Sequence, residues 1–75
     1  GVGALGSGFA LSDIRLKKNI QKLGVYRGAN IYSWDWVDAG ISDSNIGVIA
    51  QEHPEHAFEG VDGYLRVDYG ALFNG

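Results

Sequence analysis

Between Ala29 and Val37 the chain alternates with a period of two. Tyr32, Trp34 and Trp36 project to one side, and Ile31, Ser33 and Asp35 to the other. Alternation carried by aromatic and β-branched residues is a strand signal. It constrains the fold more than any other stretch, because three large rings on one face must be covered. Core packing covers them most simply. A platform for stacked bases or sugars is the alternative, which the acids Asp35 and Asp38 disfavour. Asp38-Ala39-Gly40 and Ser42-Asp43-Ser44-Asn45 are turn material. They return the chain as a hairpin into Ile46-Gly47-Val48-Ile49-Ala50, a nearly all-apolar run that reads as a buried strand. Gly47 inside it marks a bulge or a close backbone approach.

Ahead of the aromatic strand, Leu16, Ile20 and Leu23 fall at helical spacing, with Arg15, Lys18 and Lys22 elsewhere on the surface. Ser12 or Asp13 can act as N-cap and Gly24 as the stop, which predicts a helix over Asp13–Leu23. Residues 1–11 read as a glycine-rich linker, as the end of a preceding body, or as an arm that Val2, Leu5, Phe9 and Leu11 could anchor on a neighbour. Downstream, Pro54 opens a short helical turn. Asp62-Gly63 between strand-like residues signals a type I′ hairpin. Leu65, Val67 and Tyr69 share one face of the strand that follows, and the last residues can make one helical turn docking Leu72 and Phe73. The expected fold class is α+β, a short N-terminal helix with a small antiparallel sheet, in a module spanning residues 12–75.

At 75 residues without cysteine the chain has no disulfide to reinforce so small a core. Oligomerisation or attachment to a larger body is the expected remedy. The only histidines, His53 and His56, do not make a structural zinc site, so no metal and no cofactor is expected. A net charge of -3 and the lack of a long basic stripe argue against a nucleic-acid partner. No apolar run approaches the length that spans a bilayer, so no membrane partner is expected. The chain begins without methionine, as a piece of a longer polypeptide would.

Ser12 stands five residues ahead of Lys17. Such a serine is ordinarily a cap. A serine hydroxyl and a lysine amine can also form a nucleophile–base pair. In one continuous helix, residues five apart point about 140° away from each other. The pair can therefore meet only if Ser12 precedes the helix and the chain folds back. Lysine acts as a base only where burial or neighbouring cations lower its pKa. Arg15 and Lys18 could supply such charge, and Asp13 would oppose it.

Five blocks lie in order along the chain: Ser-Asp-x-Arg-Leu-Lys-x-Asn-Ile from Ser12, Tyr-x-Trp-x-Trp from Tyr32, Ile-Gly-Val-Ile-Ala-Gln-Glu from Ile46, Pro54-Glu55, and Asp-Gly-Tyr-Leu-x-Val-Asp-Tyr-x-x-Leu from Asp62. In that order they resemble the intramolecular chaperone auto-processing domain found at the C-terminal end of phage tail fibres, tailspikes and endosialidases. The resemblance implies a homotrimer that helps the preceding fibre body of the same polypeptide to fold and then cuts itself off. It implies Ser12 as nucleophile, Lys17 as its base and Leu11–Ser12 as the bond cut. It also implies a tail fibre or tailspike precursor assembled in the host cytoplasm. Asp13, Arg15 and His53 are supporting candidates. His53 falls in a stretch shorter than the family's, either as a surface loop histidine or hydrogen-bonded near the pair. Backbone amides at the start of the expected helix are candidate oxyanion donors. The alternatives are a trimerisation cap or host-contact module at the fibre tip that never cuts, or a small carbohydrate- or partner-binding module using Tyr32, Trp34 and Trp36.

Overall fold

The computed structural model describes residues 9–74. Val2 and Leu5, the expected anchors of the arm, lie outside them. The described residues form two antiparallel sheets of three strands each. One sheet has the order β2-β3-β4, with β2 at Lys17–Tyr26, β3 at Ala29–Trp36 and β4 at Ile46–Gly47. The other has the order β1-β6-β5, with β1 at Phe9–Leu11, β5 at Ala57–Glu59 and β6 at Leu65–Asp68. A six-residue helix, α1 at Tyr69–Asn74, follows β6.

This architecture corrects the α+β expectation: the described residues are mostly β, and no α-helix precedes β2 among them. The segment read as helix over Asp13–Leu23 is one 3-10 turn, Ile14–Leu16, capped by Asp13, followed by the longest strand of the molecule. The helical spacing has a physical cause. β2 pairs with β3 through two register shifts, between Lys18 and Gln21 and between Lys22 and Gly24. Each irregularity breaks the two-residue alternation, so apolar residues recur at longer intervals. Asn19 sits in the first of them with φ of 53°, a conformation asparagine tolerates better than most side chains. Gly24 does not stop a helix. It pairs with Ile31 inside the strand.

The hairpin signals also move. The tight turn with positive φ at both central residues joins β2 to β3 at Arg27-Gly28, where φ is 50° and 83°. That is the pattern of a type I′ turn. At Asp62-Gly63 only Gly63 has positive φ. There the loop is shaped by the Asp62 carboxylate, which accepts the Tyr64 amide at 3.1 Å and two hydrogen bonds from Arg66.

The core lies between the two sheets and under α1. Ala29, Ile31, Val48, Ala50, Val67, Tyr69 and Phe73 are buried together, with Leu65 and Leu72 packed against them. Strand β3 buries residues on both faces. Ala29 and Ile31 enter this cluster, while Trp34, on the opposite parity, is 3% exposed. The run after Gly47 is not a long strand. Val48-Ile49-Ala50 is fully buried extended chain that enters a 3-10 turn at Ala50–Glu52. A third 3-10 turn, Pro54–His56, starts at the proline as expected.

Candidate active site

Ser12 is the last residue before the capped turn, and its backbone is held on both sides. Its amide donates to the Leu65 carbonyl at 3.1 Å, and its carbonyl accepts the Ala50 amide at 2.8 Å. One side stitches Ser12 to β6, the other to the buried run after Gly47. The 3-10 turn leads into β2, whose first residue, Lys17, is buried as well. Ser12 is 0% exposed and Lys17 is 6% exposed.

The two side chains converge on Val48. Lys17 Nζ donates to the Val48 carbonyl at 2.7 Å and lies 3.5 Å from the centre of the Trp34 ring. Ser12 Oγ lies 3.4 Å from the Tyr69 hydroxyl, which accepts the Val48 amide at 3.0 Å. Among the described residues no hydrogen bond joins Ser12 and Lys17 directly. Burial pulls the Lys17 pKa down to about 7, against the opposing charges of Asp13 and Glu52. Asp13 therefore acts on Lys17 in the opposing sense. Arg15 does not supply the lowering charge, because its guanidinium is spent on Asp13 at 2.7 Å.

Asp13 is the polar hub beside the serine. It is fully buried. Its carboxylate accepts five hydrogen bonds: from the Arg15 amide, Arg15 Nε and Nη2, Gln51 Nε2 and the Leu65 amide. The Arg15 side chain beside it, then the backbone donors and Gln51, hold its pKa well below the usual carboxylate range. The amides of the turn are all engaged. Ile14 donates to Gln51 Oε1, Arg15 to the Asp13 carboxylate, and Leu16 to the Asp13 carbonyl. None of the three is free to hold an oxyanion in this arrangement.

Among the described residues no hydrogen bond joins His53 to Ser12 or Lys17. The His53 Nδ1 lies 3.8 Å from Glu55, and its buried Nε2 has no hydrogen-bond partner. Trp34 does not form a stacking platform. It is buried beneath the Lys17 amine, and Tyr32 hydrogen-bonds Glu52 at 2.9 Å. Among the described residues no group of three or more His, Cys, Asp and Glu side chains gathers as a metal site would. An open cavity of about 270 Å³ adjoins the region, lined in part by Leu11, Trp34, Ile46 and Tyr69.

Sequence reasoning did not single out Tyr69, Val48, Trp34 or Gln51 as parts of this site. Gly47 was the available signal. A Cβ at that position would overlap the Tyr69 hydroxyl, which is the close approach a glycine inside an apolar run implies.

Fold and site define a small, mostly β module that buries a serine and a lysine against one stretch of its core. The chain belongs to the peptidase family described as chaperone of endosialidase, whose family model matches residues 12–62, beginning at Ser12 itself. No curated protein and no solved structure matches the chain.

Proposed function

We propose that this chain is a self-cleaving intramolecular chaperone at the end of a phage tail fibre or tailspike. It assembles as a homotrimer, promotes folding of the preceding fibre body, and releases itself at Leu11–Ser12. The observation that carries this reading is the joint burial of Ser12 and Lys17 around Val48, within the segment shared with the family.

The chemistry follows from the groups present. Near neutral pH a substantial fraction of Lys17 is a free amine, because burial holds its pKa at about 7. The amine takes the Ser12 hydroxyl proton as Oγ bonds to the Leu11 carbonyl carbon. The bond from Leu11 carbon to Ser12 nitrogen then breaks, and that nitrogen takes a proton. This leaves Leu11 esterified to Ser12 Oγ. Water opens the ester, giving a Leu11 carboxylate and a free serine N-terminus. In the single chain Lys17 is held on Val48 and the turn amides are committed. Assembly of three copies is the step to which we assign the rearrangement that brings amine and hydroxyl together and frees an oxyanion donor.

The Lys17–Val48 bond favours one rival, a trimerisation cap that keeps the fold and stays attached. Mass spectrometry of the full natural polypeptide separates the two. Self-cleavage yields a piece beginning at Ser12, and Ser12→Ala or Lys17→Ala keeps the polypeptide whole. An uncut wild-type fibre, assembled and folded, supports the cap instead.

A further inference from the structure

The cleavage chemistry above makes no use of the Tyr69 hydroxyl, although it is the polar group in contact with Ser12 Oγ. Tyr69 begins α1, is 4% exposed, and packs its ring edge-on against Phe73. Its oxygen is anchored by the Val48 amide at 3.0 Å. Gly47 leaves the space that the hydroxyl occupies. A phenol has one proton to give and lone pairs to receive. The Val48 amide takes up a lone pair. Among the described residues Ser12 Oγ is the acceptor within reach of the proton, at 3.4 Å.

We propose that Tyr69 is a positioning residue for Ser12: anchored on the Val48 amide, its hydroxyl donates to Oγ and sets the serine rotamer from which attack begins. The inference rests on Ser12 being the nucleophile. A 3.4 Å separation is long for an O–H···O bond. Catalytic hydrogen bonds are often long before the reacting geometry is reached. With Tyr69 as donor, Ser12 keeps its own proton for Lys17 and a lone pair for the Leu11 carbonyl carbon. Tyr69 retains its proton throughout. When water opens the ester, the same donor stabilises Oγ as it leaves.

The test compares cleavage of the full natural polypeptide carrying Tyr69→Phe, which keeps the ring and removes the hydroxyl. Cleavage should slow roughly 10- to 100-fold, the scale of a misplaced reacting group. The midpoint of the pH–rate profile should stay where it is in the wild type. Gly47→Ala, which crowds the hydroxyl without removing it, should also slow cleavage at an unchanged midpoint. Cleavage of Tyr69→Phe at the wild-type rate overturns the proposal. So does a shifted midpoint with an unchanged plateau, since Tyr69 would then act through Val48 on Lys17. A wild type that never cuts defeats the self-cleavage reading instead. In that event thermal unfolding decides whether the hydrogen bond exists. Tyr69→Phe should lower Tm less in a Ser12→Ala background than in the wild type, and equal losses overturn the assignment.

Discussion

Asp13 and Lys17 sit at the two ends of one short turn, both buried, and the fold treats them in opposite ways. Asp13 receives five hydrogen bonds, including two from the Arg15 side chain, and its carboxyl is held far below the usual range. Lys17 receives one carbonyl and one aromatic face, and burial draws its amine down to about 7. A buried charge whose lost hydration is replaced becomes an anchor. One whose hydration is only partly replaced is left ready to give up its proton. The turn joins an anchored carboxylate to an amine drawn toward its uncharged form, and Ser12 lies next to the anchor.

The largest effect expected from breaking this contrast is at Asp13. Asp13→Ala leaves the part-buried Leu65 and Arg15 amides without their acceptor. We expect a loss of roughly 3 kcal/mol in chemical denaturation, at one to three for each orphaned donor. A loss below about 1 kcal/mol would show that Asp13 is no anchor. Because its folded pKa is depressed, its contribution is complete above the ordinary value of 3.8 and is lost as pH falls through the lower folded value. In Asp13→Asn that acid dependence should flatten.

Lys17 has the opposite sign. Its folded pKa of about 7 lies below the ordinary 10.5. The cost of burying its charge is therefore fully present below about 7 and is relieved as pH rises toward 10.5. Stability should increase across that window by at most about 1.4 kcal/mol per pH unit. Lys17→Met should remove the rise and be no less stable than the wild type at neutral pH. A wild-type stability that is flat from pH 7 to 10 would erase the contrast with Asp13.

The smallest effect expected is at Asn19, whose left-handed conformation shapes β2 just beyond Lys17. Asn19→Ala should cost about 1 kcal/mol, and Asn19→Gly a few tenths, read by the same denaturation. Equal costs would mean that the side chain's bond to Asp35, rather than its backbone, matters there.

Much of this was legible in the sequence because single residues carried it. The aromatic alternation gave β3, Pro54 gave its 3-10 turn, and Leu72 and Phe73 gave the terminal helix. The strand β2 was not legible. It lies at a sheet edge with most of its residues exposed, and its bulges replace strand alternation with helix-like spacing. The Ser12 and Lys17 pair could be named, but their surroundings could not. Val48 and Tyr69 reach them across 31 and 57 positions of chain, through hydrogen bonds that leave no local pattern. His53 was a candidate because it falls in a shortened stretch, and its Nδ1 lies 3.8 Å from Glu55.

We propose that folding alone brings the Lys17 amine into the range where it can serve as a base. Selective isotope labelling of lysine and an NMR titration of the Lys17 side chain in the folded protein measure this directly. A midpoint near 7, against values near 10.5 for an ordinary lysine, is the predicted result. A Lys17 that stays protonated to pH 10 would contradict it.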